Sequence, residues 1–281
     1  MKKILITGAN SYIGTSFEKW LAKFPNKYLI NTVDMKSEAW EEKDFSEYDV
    51  VFHVAGIAHV KETKKNQDLY YSVNRDLVYK TAEKAKAEGV RQFIFLSSMS
   101  VYGVENKIID KNTPLKPSSN YGKSKLQAEE LIEPMNDDNF KVVILRPPMI
   151  YGKGCKGNYS RLANLAVKIP IFPDIKNKRS MIYIDNLSEF IRLLIDDCCS
   201  GLFFPQNTEY VKTSEMVKLI AEVHGKKIRM TKFFNPLLIK MMKNVTVNKM
   251  FGDLVYEKKL SNYRTNYCVY DLKSSIKLTE I

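Results

Sequence analysis

Hydrophobic and polar positions alternate between two kinds of segment along the first two thirds of the chain. Short apolar runs, such as 4–6 and 50–52, predict buried strands, whereas apolar residues at i, i+3, i+4 and i+7 predict helices. The first predicted helix carries this stripe at Phe17, Trp20, Leu21 and Phe24. Strands that alternate with helices are typical of an α/β fold in which helices cover a parallel sheet.

The same reading predicts the remaining elements and their division into domains. After residue 150 the pattern loosens and becomes loop-like, basic and irregular. We therefore expect a Rossmann-like doubly wound sheet in residues 1–150 and a smaller domain in 151–281, with a segment around 180–224 partly returning to the first. Strands are expected at 29–33, 49–56, 91–96, 142–145 and 201–204, and helices at 69–87, from 118 to Pro134 and at 213–224.

A glycine turn joins the first strand to the first helix, in the pattern Gly8-x-x-Ser11-x-x-Gly14. Such a turn directs backbone N–H groups and the positive end of the helix dipole at one point, which binds phosphate. Asp34 follows the next strand, about 20 residues further on, where a carboxylate accepts hydrogen bonds from ribose hydroxyls. These residues predict an NAD site, and Lys36 leaves NADP open.

Tyr121 and Lys125 are four residues apart, so a helix places both on one face. A free tyrosine titrates near pH 10. One positive charge about 4 Å away, at an effective dielectric near 20, supplies about the 4 kcal/mol needed for a neutral-pH base. We expect Lys125, helped by the positive nicotinamide ring, to hold Tyr121 partly as phenolate, which takes a proton from a sugar or alcohol hydroxyl. Ser98, at the end of the preceding strand, would bind the reacting oxygen.

Composition excludes several other classes of protein. The four cysteines and three histidines show no metal-ligand spacing, so we expect no metal site and a reduced, cytoplasmic setting. No apolar run reaches membrane-spanning length, and Met1-Lys2-Lys3 leads straight into a strand rather than a signal peptide.

The net charge of +12 is concentrated late, because residues 225–264 hold ten Lys or Arg and two acidic residues. No nucleic-acid-binding pattern accompanies this charge, so nucleic acid is not an expected partner. Residues 235–243 could form a basic amphipathic helix on a membrane surface. The apolar side of such a helix is more often core, so membrane contact is the less favoured interpretation.

The motifs together resemble the extended short-chain dehydrogenases/reductases, and specifically the NAD-dependent epimerase/dehydratase family that acts on nucleotide sugars. The resemblance covers residues 1 to about 190 in the right order. The matching segments are 7–14, Asp34, 52–56, 73–74, 97–103, 121–125, 146–148 and 179–187.

The resemblance implies a role for each site residue. Ser98, Tyr121 and Lys125 would be catalytic, and Ser98, Ser100, Asn158 and Arg179 would bind a nucleotide-diphosphate sugar, expected to be a UDP-sugar. It also implies a homodimer formed through the helices at 69–87 and 118–131. The implied cofactor-binding residues are Gly8, Asn10, Ser11, Tyr12, Ile13, Gly14, Asp34, Val54, Ala55, Gly56, Asn74, Tyr121, Lys125 and Pro148.

The reaction expected from this resemblance is 4-epimerisation of a UDP-hexose or UDP-N-acetylhexosamine for surface-polysaccharide synthesis. Sugar 4,6-dehydratases of the family carry an Asp-Glu pair where this chain has Met99-Ser100, which argues against a dehydratase. A 4-ketoreductase of a UDP-4-keto-6-deoxy sugar needs the same catalytic residues and remains the alternative. A catalytically silent NAD-sensing regulator is disfavoured because the catalytic residues are all present.

Overall fold

The computed structural model describes residues 1–58, 60, 62–63, 65–103 and 107–281. Within them the strands are β1 (Lys2–Thr7), β2 (Tyr28–Val33), β3 (Val50–His53), β4 (Gln92–Leu96), β5 (Lys107–Ile109), β6 (Lys141–Leu145), β7 (Met149–Tyr151), β8 (Ile171–Pro173), β9 (Met181–Tyr183), β10 (Gly201–Phe203), β11 (Arg229–Thr231) and β12 (Leu254–Tyr256). The helices are α1 (Tyr12–Leu21), α2 (Gln67–Tyr71), α3 (Leu77–Ala87), α4 (Asn120–Ile132), α5 (Asn158–Ala166), α6 (Ile184–Asp196), α7 (Thr213–Val223), α8 (Asn235–Met241), α9 (Val245–Phe251) and α10 (Leu272–Glu280).

The chain divides into two compact units that differ in detail from the expected 1–150 and 151–281. Residues 104–113 group with the second unit because β5 pairs with β12, and the returning segment is 188–205 because β10 pairs with β6. The first unit is Met1–Gly103, Pro114–Pro147 and Ser188–Pro205, and the second is Val104–Thr113, Pro148–Leu187 and Gln206–Ile281.

The first unit contains a parallel sheet whose six described strands lie in the order β2-β1-β3-β4-β6-β10. This confirms the expected doubly wound parallel sheet. The chain places β2 on one side of β1 and then crosses to place β3 on the other side. Ligands of such folds bind beyond the carboxyl ends of the strands at this switch point. The loops that follow β1 and β3 therefore frame the crevice.

Helices cover both faces of this sheet because successive strand residues point to opposite sides. On one face Val51 and Phe93 join the buried residues of α3 and α4, such as Ala82 and Ala128, in one apolar core. On the other face Phe17 of α1 meets Phe52 edge to face, with ring centroids 5.2 Å apart. This packing holds the strand ends, and with them the crevice, in place.

The helix expected at 69–87 is three pieces rather than one. Between α2 and α3 the residues Ser72–Asp76 form a π-helical turn, which carries the fully buried Asn74. The Asn74 amide donates to the Ile57 carbonyl at 3.0 Å, and its oxygen accepts from the Ile57 N–H at 2.9 Å. Such π turns often occur at functional sites. The apolar pattern along the chain could not predict this π turn, because the turn is accompanied by hydrogen bonds to Ile57, which is distant in sequence.

The second unit is more regular than the sequence pattern indicated. Its strands form three short parallel pairs among the described residues, namely β5–β12, β7–β9 and β8–β11. Each of these strands has three residues, which is too short to show a period. The last helix, α10, begins where the Asp271 side chain accepts from the Ser274 N–H at 2.8 Å. The expectation of an irregular C-terminal region was wrong, because long-range pairing defines these elements.

No helix in the described part of the chain is both long enough and apolar enough to cross a membrane.

Candidate functional site

The glycine turn after β1 packs directly against the loop after β3. Gly8 has φ +90, and a Cβ built on it would lie 3.0 Å from the Ala55 Cα and backbone nitrogen. Only glycine meets both conditions without strain. The Gly8 N–H donates to the Val33 carbonyl at 2.9 Å, which places the end of β2, and so Asp34, beside the turn.

The rest of the turn forms the start of α1. Ser11, which stands where related motifs have glycine, is the N-cap and accepts a hydrogen bond from the Gly14 N–H at 3.2 Å. A Cβ on Gly14 would lie 2.7 Å from the Ser11 oxygen, so the cap requires glycine there. Asn10 precedes the cap with φ +63, and Tyr12 and Ile13 are the first helical residues.

This arrangement fits a dinucleotide. The Gly8 and Gly14 positions leave no room for side chains, so backbone lines a cradle at a helix N-terminus, where phosphates bind. Asp34 is exposed directly after β2, with one carboxylate oxygen accepting from the Lys36 N–H at 3.1 Å. Its carboxylate is the chemical group that binds ribose hydroxyls.

The loop after β3 also contacts the π turn and α4. A Cβ on Gly56 would lie 3.0 Å from the Asn74 side-chain oxygen and 3.4 Å from the Lys125 Nζ. The Asn74 amide is also 3.4 Å from the Ser124 hydroxyl of α4. The structure therefore brings the predicted cofactor-binding loop and the predicted catalytic helix together.

Tyr121 and Lys125 lie on α4, and Ser98 directly follows the loop after β4. The Ser98 hydroxyl donates to the Ser100 hydroxyl at 3.1 Å and accepts from the Ser100 N–H at 3.1 Å. It also hydrogen-bonds the Tyr121 hydroxyl. Glu62, which the sequence reading did not single out, accepts from the Tyr121 N–H at 3.2 Å and so caps the helix. Ser98, Ser100 and Tyr121 thus form one polar cluster.

Burial dominates the ionisation of this cluster. It raises the pKa of Tyr121 above its usual range, and the hydrogen bond of Tyr121 with Ser98 offsets only part of this. Burial lowers the pKa of Lys125 to about 7, and the Glu129 carboxylate acts in the opposite direction. Without a bound cofactor, desolvation favours the neutral form of both groups. The expected phenolate depends also on the positive nicotinamide ring, so it stays a prediction.

The Lys125 ammonium has few polar partners for a buried cation. Its Nζ donates to the Leu96 carbonyl at 2.8 Å and lies 4.6 Å from the centre of the Phe95 ring. Leu96 ends β4, so this hydrogen bond ties α4 to the strand that leads to Ser98. A carbonyl and a ring face stabilise a cation less than a carboxylate does. Its depressed pKa follows from this setting.

A buried ion pair below the cluster was missed by the sequence reading. Arg146, at the end of β6, donates through Nε to both Glu129 oxygens at 3.1 Å and through Nη1 to the Tyr102 hydroxyl at 2.9 Å. The Ser97 hydroxyl also donates to Glu129. Glu129 lies four residues after Lys125 on the same helix face, and that spacing was the available signal. The pair joins α4 to the ends of β4 and β6.

The other predicted site residues belong to the second unit. Pro148 is buried just before β7, and Asn158 is the first residue of α5, after Gly157 with φ +101. Arg179 donates through Nη1 to the Gly252 carbonyl at 3.0 Å. Its buried Nε has no hydrogen-bond partner among the described residues, and burial lowers its pKa. An unsatisfied buried guanidinium N–H is costly, which marks Arg179 as a residue suited to an anion.

Comparison with known proteins agrees with this geometry. The NAD dependent epimerase/dehydratase family model matches residues 4–202. The chain belongs to this family. Membership confirms the resemblance drawn from the motifs, and the matched residues include the predicted catalytic residues and Arg179.

Two curated relatives of this epimerase/dehydratase family chain are epimerases themselves. This chain is 31% identical over 249 residues to the UDP-glucose 4-epimerase of Vibrio cholerae, and the match covers 78% of this chain and 75% of that protein. It is 29% identical over 239 residues to the N-acetyl-alpha-D-glucosaminyl-diphospho-ditrans,octacis-undecaprenol 4-epimerase of Escherichia coli O157:H7, covering 78% and 71%.

The fold also matches solved structures. The UDP-glucuronic acid 4-epimerase of Bacillus cereus aligns with a TM-score of 0.75 at 19% identity, covering 99% of this chain and 97% of that chain. At this identity the match supports the family fold and leaves the substrate open.

Replacing Gly122 by alanine tests how tightly α4 packs on the serine turn. Alanine usually favours a helix over glycine by up to about 1 kcal/mol. Here the new Cβ would lie 2.6 Å from the Ser100 carbonyl oxygen. We expect Gly122→Ala to lower the free energy of unfolding in urea by about 1–3 kcal/mol. The exposed neighbour Lys123 provides the control, because Lys123→Ala should change the free energy of unfolding by less than about 0.5 kcal/mol. A more stable Gly122→Ala protein would contradict the close packing.

The depressed pKa of Lys125 predicts a pH-dependent stability. Between pH 7 and pH 10.5 the unfolded chain binds a proton at Lys125 that the folded chain has lost. The free energy of unfolding should therefore rise with pH in this window, by roughly 1.4 kcal/mol per pH unit from this group. Below pH 7 the lysine is protonated in both states and contributes no slope.

Urea unfolding of the wild type and Lys125→Met across this window measures the effect. The free energy of unfolding of the wild type minus that of Lys125→Met should increase with pH at that slope, because methionine cannot titrate. Lys123→Met, on the exposed side of the same helix, should follow the wild type. Parallel curves for the wild type and Lys125→Met would show that the buried ammonium keeps an ordinary pKa.

Proposed function

We propose that this protein is an NAD-dependent 4-epimerase that acts on a UDP-hexose or UDP-N-acetylhexosamine. The observation that carries the proposal is the cluster of Ser98, Tyr121 and Lys125 beside a glycine cradle at the switch point of the sheet. Both curated relatives described above carry 4-epimerase names, which supports the same reaction type.

The first unit supplies the residues that would hold NAD. The turn from Gly8 to Gly14 would bind the pyrophosphate through backbone N–H groups, and Asp34 would bind the adenosine ribose. Residues 54–56 and Asn74 would border the cofactor in the crevice. The chemistry that NAD would supply there is a reversible acceptor for the hydride on C4 of the sugar.

The catalytic residues manage the proton of the sugar 4-hydroxyl. As a phenolate, Tyr121 would accept this proton at its oxygen and return it after the sugar has turned over. The Ser98 hydroxyl would hydrogen-bond the same sugar oxygen. A protonated Lys125 favours the phenolate of Tyr121, so the charge on Lys125 decides how readily the proton moves. Glu129 raises the pKa of Lys125 and thereby supports the charged form.

The residues after Ser98 limit the reaction type. Met99 has no titratable group, and Ser100 hydrogen-bonds the Ser98 hydroxyl. Neither side chain can protonate a leaving hydroxyl efficiently, so elimination of water is not proposed. A 4-ketoreductase would use the same three catalytic residues, and the experiment below separates it from the epimerase.

Released cofactor and sugar interconversion together test the proposal. Pure protein denatured in acid should release about one NAD per chain, because an epimerase reuses its cofactor in every turnover. The native protein should interconvert UDP-glucose with UDP-galactose, or UDP-N-acetylglucosamine with UDP-N-acetylgalactosamine. Tyr121→Phe should lower kcat by about 100-fold or more while it retains NAD. Tyr79→Phe, on α3, is the matched control and should keep full activity.

Other outcomes identify the alternatives. Protein without bound cofactor that oxidises added NADH or NADPH only with a UDP-4-keto-6-deoxy sugar would be a ketoreductase. Protein that retains NAD but turns over none of these sugars would support an NAD-sensing role.

The expected homodimer stays a prediction.

Substitution of Arg179 tests its proposed contact with the substrate diphosphate. A charge-assisted hydrogen bond contributes about 1.5–3 kcal/mol. Arg179→Met should therefore raise KM for the UDP-sugar by about 10-fold or more, with NAD content unchanged. Lys178→Met removes an exposed positive charge one residue away and should leave KM within about twofold. Equal effects from the two variants would show that general positive charge, rather than Arg179, binds the substrate.

A further inference from the structure

A segment of the second unit, residues 232–243, presents apolar side chains to solvent. The exposed fractions are 83% for Phe233, 59% for Leu237 and 61% for Ile239. None of the residues of α8, which this segment contains, is buried. The apolar side of the predicted helix is therefore not part of the core, contrary to the interpretation that the sequence favoured. Contiguous exposed apolar groups of this kind mark interaction surfaces.

This segment, which we call the α8 surface, is anchored to its unit. The Asn235 amide, at the first helical position, donates to the Asp174 carbonyl at 3.0 Å. Just before it, the rings of Phe233 and Phe234 contact each other edge to face, with centroids 5.3 Å apart. The α8 surface is thus held to its unit by the Asn235 hydrogen bond, and two aromatic rings in contact precede the helix.

Positive charge surrounds these apolar side chains. Residues 225–249 contain seven Lys or Arg and no Asp or Glu. Lys232, Lys240 and Lys243 are exposed within the α8 surface itself. A surface that combines exposed aromatic and aliphatic groups with unopposed lysines complements an anionic phospholipid bilayer, in which headgroup phosphates lie above acyl chains.

We propose that the α8 surface binds peripherally to anionic phospholipid membranes. Phe233 and Ile239 enter the boundary between headgroups and acyl chains, and the lysines contact lipid phosphates. Leu237, two residues before Ile239, lies on another side of α8. A second copy of this chain is the less suitable partner, because two α8 surfaces facing each other would place lysines against lysines. The proposal goes beyond the sugar chemistry and does not depend on it.

Vesicle flotation of the full chain tests the proposal. The protein should float with vesicles that contain phosphatidylglycerol and much less with vesicles of phosphatidylcholine alone. Added salt should release it, because the lysine contribution is screened. Replacing Lys240 and Lys243 by glutamine should weaken binding by about fivefold for each lysine. Phe233→Ser with Ile239→Ser should abolish flotation.

A control pair comes from elsewhere in the same unit. Ile108 is 65% exposed, and Lys111 is also exposed. Ile108→Ser with Lys111→Gln should leave flotation unchanged. Circular dichroism and thermal unfolding establish that all variants are folded.

Three results would overturn the proposal. The first is the absence of flotation with either vesicle type. The second is equal flotation of the wild type and the lysine variant with both vesicle types. The third is concentration-dependent self-association in sedimentation that Phe233→Ser with Ile239→Ser removes, which would assign the α8 surface to a second copy of the chain.

Discussion

The buried ammonium of Lys125 is the constraint on which the site depends. Removing a cation from water is costly, and here the Leu96 carbonyl and the face of the Phe95 ring contact the ammonium. The space around it is filled, since a Cβ on Gly56 would come within 3.4 Å of the Nζ. The loop after β3, the π turn with Asn74 and the end of β4 all take their positions around this one group.

A second layer supports this arrangement through one helix. Tyr121, Lys125 and Glu129 follow each other at intervals of four residues, so α4 presents them on one face from the polar cluster inward. The ion pair of Glu129 with Arg146 fixes the inner end of that face to the sheet. Breaking such a pair leaves a buried charge uncompensated. The position of the Tyr121 hydroxyl is therefore linked to the Glu129–Arg146 ion pair, which lies beyond Lys125 along α4.

Local patterns predicted most of the fold, and contacts distant in sequence explain what they missed. The glycine turn, the strand ends and the parallel sheet follow from apolar periodicity and turn chemistry within short stretches. The π turn with Asn74 depends on a hydrogen bond to Ile57, and the three-residue strands of the second unit depend on partners far along the chain. Spacing along α4 predicted that Tyr121 and Lys125 lie close together, but it does not show burial, which raises the pKa of Tyr121 and lowers the pKa of Lys125.

The opposed pKa shifts give Glu129 a part in the proposed mechanism. Any cation that enters the crevice favours the phenolate of Tyr121, but it also disfavours the ammonium of Lys125. Because burial already lowers the pKa of Lys125 to about 7, a further decrease would leave the lysine neutral at physiological pH. Glu129 is the group that acts in the opposite direction on this lysine. A carboxylate one helical turn away thus opposes the loss of the positive charge that the proposed mechanism places beside Tyr121.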